Sequence, residues 1–375
     1  MFIPSGQRRW FVAALLLAAA SGLPTCLAAP AAASAAAAEA DLLDQPAQLS
    51  ARASRSVLLA VSRAGERLIA VGEAGILLRS DDHGVTWRQT QVPTRVALTN
   101  VYFATPSQGW AVGHGGIVLH SGDAGETWVK QLDGRQAAQL ELATARADVA
   151  QHRPGADKRL RDAEQLVGEG ADKPLLDVYF SDERNGLVVG AYGLIFGTGD
   201  GGQTWQSLKS RLDNPKGRHL YGIHAAGAAR YIAGEQGALY RSGDGGQTFA
   251  EVKTPYVGTY FGVLGAAGGA LLAYGLRGTA YRSADQGATW QKIDTGQPVT
   301  FTAGHRLADG SLLLADETGR LLHSRDGGQS FKDLPVPQPS PFTGIAQAAD
   351  GSLVLSGARG MTRLAPNPPP AEPKQ

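Results

Sequence analysis

The sequence predicts an all-β fold: a seven-bladed β-propeller with an inserted α-helical hairpin. Three observations predict it. Glycine supplies 49 of 375 residues with no collagen-like period, so the chain holds many tight turns and many short strands. An eight-residue pattern, Ser-x-Asp-x-Gly-x-Thr-Trp, recurs six times with small variations. A Gly-x-x-Gly turn followed by a short apolar run recurs seven times, its second glycine at positions 75, 116, 193, 237, 278, 319 and 360. Four of the six intervals are 41 residues, which fits one four-stranded blade per repeat.

The elements follow in chain order. Residues 1–28 read as an export signal. Arg8 and Arg9 form a basic start, residues 10–20 are apolar, and small residues follow up to a cleavage site expected near Ala28. The apolar run is shorter than the ~20 residues of a membrane-spanning helix. Cys26 is the sole cysteine, so no intramolecular disulfide and no cysteine metal cluster is possible. Residues 29–40 form an Ala-rich spacer, and residues 365–375, with five prolines, a disordered tail. The propeller occupies 41–364. Its first blade is expected to have strands at 57–62, 67–71, 76–79 and 87–92. The seventh repeat has three strands, at 342–346, 352–356 and 361–364, and lacks the Asp pattern. Residues 41–50 are expected to supply its fourth strand and close the ring.

One interval is 77 residues, and the extra chain lies at 134–173. Strong helix formers on both sides of Arg153-Pro154-Gly155 predict two helices. Seven basic and seven acidic residues share this segment. Leu140, Ala143, Ala147 and Ala150 form an apolar stripe at helical spacing, expected to join the helices or to dock a partner. In a four-stranded meander, the connector between blades lies on the same face as the Gly-x-x-Gly turns. The hairpin is therefore expected on that face, opposite the Asp pattern.

The six Asp residues, Asp82, Asp123, Asp200, Asp244, Asp285 and Asp326, are read as structural. Each carboxylate can accept hydrogen bonds from its own turn, each Gly permits φ > 0, and the Trp or Phe supplies an apolar plug. Four of the six tryptophans occupy this one position. The pattern resembles the Asp-box, or bacterial neuraminidase repeat. The units over roughly residues 55–364 resemble the propeller of the photosystem II stability/assembly-factor-like family. The shared features are the Asp-box, turns such as Val71-Gly72 and Val112-Gly113, and inner strands such as Val101-Tyr102-Phe103 and Val178-Tyr179-Phe180. The resemblance implies a non-enzymatic exported scaffold that binds a membrane-protein complex or its assembly intermediates.

The remaining observations narrow the function. A net charge of +1 argues against a nucleic-acid binder. No phosphate-binding loop or zinc-protease motif occurs, and the eight histidines are scattered, so no cofactor and no metal are expected. A sialidase-like hydrolase would need clustered arginines, a Tyr nucleophile and an Arg-Ile-Pro entry motif, which is absent; sialidase rings also have six blades. The alternatives are a periplasmic accessory protein of a membrane transporter, and a sialidase-like hydrolase or glycan-binding module. The expected protein is periplasmic, monomeric, and at most peripheral to a membrane. The candidate partner-binding rim is Arg95, Lys216, Arg218, Tyr256, Tyr260, Arg277 and Arg359, on the Gly-x-x-Gly face. Glu73, His114, Tyr192, His219, Glu235 and Glu317 lie on the same rim.

Overall fold

The computed structural model describes residues 41–366. The expected signal, the spacer and the last residues of the tail lie outside the described residues. The described chain forms six four-stranded antiparallel sheets and one three-stranded sheet, each a meander. The first blade has strands Leu58–Ala64, Arg67–Gly72, Leu77–Ser80 and Arg88–Thr90. The seventh has Phe342–Gln347, Leu353–Gly357 and Gly360–Leu364.

Each second strand is covered on both faces by neighbouring blades, so it reads as a continuous apolar run and not an alternating one. Gly109–Gly113, Leu271–Gly275 and Leu312–Asp316 are buried throughout. The core consequently lies between blades. Ile69, Val71 and Leu77 of blade 1 pack with Leu98, Val101, Leu119 and Trp128 of blade 2. Trp110 of blade 2 stacks on Phe180 of blade 3 at 3.5 Å between ring centroids.

The ring does not close through a strand from residues 41–50. Leu58, Leu68, Ala70 and Leu78 of blade 1 pack with Ala346, Ala348 and Val354 of blade 7, as at the other blade junctions. The Thr343 hydroxyl donates to the Leu58 carbonyl at 2.6 Å, and Arg363 Nε donates to the His83 carbonyl at 2.9 Å. Residues 41–50 instead run along the outside of blades 1 and 2. Ala47 N–H donates to Val92 O at 2.9 Å, and Arg95 N–H donates to Leu42 O at 2.8 Å. Leu43 is buried against Ile117 and its neighbours. The physical reason is that the connector after blade 1 offers unpaired backbone groups and an apolar pocket for Leu43. The edge of blade 7 is met by the 3-10 turn Ala53–Arg55, which lies against Gly360.

The inserted segment forms α1 (Gly134–Ala150) and α2 (Ala156–Glu169), broken at Arg153-Pro154-Gly155. Asp133 starts α1 with a capping box: its side chain accepts from the Arg135 and Gln136 N–H groups, and the Gln136 side chain returns to the Asp133 N–H. The expected apolar stripe is not the packed face. Ala143, Ala147 and Ala150 are exposed and Leu140 is half-buried. The buried face of α1 is Ala137, Ala138, Glu141, Leu142, Ala145 and Asp148. Two acids sit on it because Arg159 of α2 reaches both Glu141 and Asp148. Gly134 lies against the blade 2 turn His114–Gly116, so the hairpin stands on the Gly-x-x-Gly face.

Candidate functional site

Each Gly-x-x-Gly turn is tied to the inner strand of its own blade. The residue after the first glycine donates its N–H to the carbonyl preceding that strand. Glu73 reaches Val57 O at 3.1 Å, His114 reaches Ala97 O at 2.9 Å, and Leu276 reaches Thr259 O at 3.1 Å. A Cβ on Gly72 would lie 2.2 Å from that same Val57 carbonyl, so the first glycine serves close approach. The following residues turn left-handed: Tyr192 has φ 56°, Arg277 φ 55° and Gly278 φ 68°. This backbone lifts the side chains of Tyr192 and Arg277 away from the sheet, and both are exposed.

Blade 6 has Asp316 where the first glycine stands elsewhere. Its side chain is fully buried. It accepts from the Thr318 hydroxyl and the Arg320 N–H, and Arg320 Nε pairs with Oδ2 at 2.9 Å.

The expected rim divides on inspection. Arg277, Arg359 and Lys216 are exposed. Arg95 is half-buried and donates to Gln45 Oε1 at 2.9 Å. Arg218 is mostly covered and paired with Glu251 at 2.7 Å. Tyr256 is half-buried, and its hydroxyl donates to Leu276 O at 3.2 Å. Tyr260 is fully buried against Tyr256 and Tyr281 and offers nothing to a partner. It is the apolar first residue of an inner strand, a place the sequence pattern did not distinguish from the turn before it. The three rim glutamates are backbone clamps. Glu73 accepts from Val57 N–H, Glu235 from His219 N–H, and Glu317 from Thr300 N–H.

The Asp-box side chains act within their own turns. In blade 1, Asp82 Oδ1 accepts from Ser80 Oγ and Thr86 N–H at 2.8 Å each, and Oδ2 from Thr86 Oγ1 at 2.6 Å. Ser80 Oγ accepts from Gly84 N–H at 2.9 Å. The other five copies repeat this network. The indole N–H groups of Trp87, Trp128 and Trp290 donate to the glycine carbonyl of their own box.

Two cavities of about 660 Å³ remain. The first is a cleft on the Gly-x-x-Gly face, between α2 and residues 209–217. Arg153, Lys158, Arg159, Lys173, Lys209 and Lys216 line it, against Asp162, Glu169 and Asp213. Lys158 pairs with Asp162, and Lys173 with Glu169. Lys209 is half-buried, and no hydrogen bond or ion pair meets its ammonium among the described residues. Burial holds it below the ordinary lysine value, against the pull of Glu141. Lys173 Nζ stands 5.0 Å from the centre of the Tyr192 ring. The cleft can hold an anionic chain segment, with Tyr192 at its edge. Sequence reasoning found Lys216 and Tyr192 but not Lys209, because only the docking of the hairpin makes position 209 part of a site.

The second cavity is the centre of the ring, lined by the inner strands of all seven blades. Asp177 lies in its wall, buried, and its carboxyl accepts from Asn100 Nδ2 at 2.5 Å, Val178 N–H at 2.8 Å and Ile223 N–H at 2.6 Å. It joins blades 2, 3 and 4 where five other blades carry Gly or Ala at the same place. Burial pushes this carboxyl up to about 7 in spite of the three donors. Among the described residues no group of three or more His, Cys, Asp or Glu side chains could hold a metal ion. No described helix is long and apolar enough to cross a membrane.

The fold has known counterparts. A structure described as "YCF48 bound to D1 peptide" superposes with a TM-score of 0.62 at 19% identity, covering 86% of this chain and 97% of that one. YCF48 from Cyanidioschyzon merolae gives 0.61 at 15% identity, covering 86% and 98%. The WD40 propeller domain of Doa1 gives 0.58 at 9% identity, covering 86% and 95%. At these identities the likeness is one of fold. No curated protein matches the chain at a significant level. In sequence, residues 161–312 match the family profile described as "Photosynthesis system II assembly factor YCF48". With seven Gly-x-x-Gly turns and six Asp-boxes around one ring, the chain is similar over these matched residues to the photosystem II stability/assembly-factor-like propellers.

Proposed function

We propose that this protein is an exported, non-enzymatic scaffold whose Gly-x-x-Gly face holds an acidic extramembrane segment of a membrane-protein client. The observation that carries the reading is the cleft beside the hairpin, where the half-buried Lys209 ammonium makes no direct ion pair, Glu141 and Asp162 acting on it only at a distance, and Lys216 stands exposed. A half-buried cation without a direct hydrogen-bonded partner is under-compensated, and a carboxylate from a client completes it. The reading is supported by a propeller of the same fold that was solved with a peptide of D1. The exposed Arg277 and Arg359 extend the positive face around the ring.

The test is site-specific photocrosslinking from position 216 in cells, followed by mass spectrometry of membranes. The expected product is an acidic loop or tail of a membrane protein, lost with Lys209→Glu. A transporter subunit as the product would keep the scaffold and identify another client. Recovery of soluble glycans alone, or turnover of a fluorogenic sialoside by the purified protein, would overturn the reading.

A further inference from the structure

The central cavity carries a charge pattern that the client face does not explain. Arg63 and Arg306 are exposed at the Asp-box end of the inner strands of blades 1 and 6, and both line the cavity. Neither guanidinium has a hydrogen bond or an ion pair among the described residues. Asp177 is the sole acidic residue in the lining, and its carboxylate is taken up by three donors deeper in the wall. Other acids on this face are also engaged. Asp309 caps Ser311, Asp350 pairs with Arg363, and Asp182 holds Asn185.

Below the arginines, the wall is aromatic. Tyr102 and Tyr179 lie 5.4 Å apart, and Tyr221 meets Phe261 edge-on at 5.1 Å. His224 and His305 stand at the same strand level as Tyr102 and Tyr179, one residue in from the level of the arginines. A cavity of this size, mostly polar in its lining but carrying aromatic rings, with two unpaired guanidiniums at one end, has the make-up of a site for a small anion. Arginine is also the side chain best shaped to grip a carboxylate or phosphate.

We propose that the central cavity binds a small organic anion, its carboxylate or phosphate head on Arg63 and Arg306 and its apolar body against the tyrosines. The site is separate from the client cleft, which opens on the opposite face.

Binding brings negative charge beside two histidines that are neutral in the empty cavity. Burial first, and then Arg306 and Arg230, hold His224 down to about 4. Burial and then Arg63 do the same to His305. An anion at the mouth offsets those arginines, so it raises both histidine values.

The experiment uses the mature protein with benzoate and phenyl phosphate as probes, inorganic phosphate as a head alone, and benzyl alcohol as a body alone. Calorimetry gives affinity, and NMR of the histidine ring carbons gives their titration. Arg63→Gln and Arg306→Gln are expected to weaken phenyl phosphate about tenfold each, the loss of one charge-assisted contact. The saturated wild type should titrate His224 and His305 at higher pH than the free protein. Both variants keep the fold because both residues are exposed, and an unchanged melting temperature checks this. Three results would overturn the proposal: no binding of either aromatic anion, equal binding of benzyl alcohol, or binding that survives the double variant. Inorganic phosphate that binds as tightly as phenyl phosphate would remove the aromatic body from the site and overturn it too.

Discussion

At the residue scale, the repeat motifs do local work that substitution can measure. Asp123 accepts from Thr127 N–H at 2.9 Å, Thr127 Oγ1 at 2.6 Å and Ser121 Oγ at 2.8 Å. Asp123→Ala frees these donors at a strand start, as removal of a helix cap does. The expected cost is about 1–2 kcal/mol in denaturant unfolding. Asp316 gives a sharper test, because its buried carboxylate depends on Arg320. Arg320→Leu alone strands that charge and should cost about 3–5 kcal/mol. Adding Asp316→Gly to Arg320→Leu restores the pattern of blade 3, Gly190 with Leu194. The double variant should therefore recover most of the lost stability. If both changes simply add in chemical denaturation, the pair is not coupled and the account of blade 6 is wrong.

At the element scale, one cation of α2 pairs with two buried acids of α1 in the inserted hairpin. Arg159 of α2 lies 3.3 Å from Glu141 and also pairs with Asp148, both buried on α1. Glu141 accepts from Ser207 of blade 3 as well, so the same group ties the hairpin to the ring. Arg159→Met should leave Asp148 with Arg153 as its only cation and Glu141 with only the Ser207 hydroxyl, and open α1 and α2 locally. Hydrogen exchange is expected to accelerate over residues 134–170 while inner-strand amides keep their protection. Uniform acceleration over the ring would show that the hairpin is part of the global fold. These elements also show what the sequence revealed and what it hid. Blade strands and both helices were legible, because glycine turns and helix formers act locally. The packed face of α1 was not, because apolar periodicity ignores acids buried by a partner 18 residues away. The path of residues 41–50 was hidden for a similar reason: their partners, Val92 and Arg95, lie on another blade's connector.

At the scale of the whole molecule, the charges of the described residues divide between two faces and a centre. Of the expected rim, the exposed Arg277 and Arg359 were legible, since both sit at the same turn position of the repeat. The cleft was half legible, since Lys209 joins it only once the hairpin docks. The central arginines and histidines were not, because ring closure alone brings together inner strands far apart in sequence. That centre controls the pH dependence of the fold. Histidines near 4 in the native state and near 6.5 unfolded bind fewer protons when folded, so their contribution is lost as pH falls from 6.5 toward 4. Asp177, near 7 folded and 3.8 unfolded, acts oppositely, and stability falls as pH rises through that interval. These two histidines, with His120 and His323, which burial also lowers, outweigh one aspartate, so stability should climb with pH between about 4 and 6.5. A separate acid limb lies lower. The hydroxyl of Thr204 holds Asp200, and that of Thr289 holds Asp285, at about 2, so both Asp-boxes weaken as pH drops below 3.8. Replacing both histidines, His224→Gln with His305→Gln, should remove most of the rise between pH 4 and 6.5 and leave the acid limb unchanged. Melting temperatures across pH 2 to 8 decide it. A double variant that keeps the wild-type rise would remove the central histidines as its source.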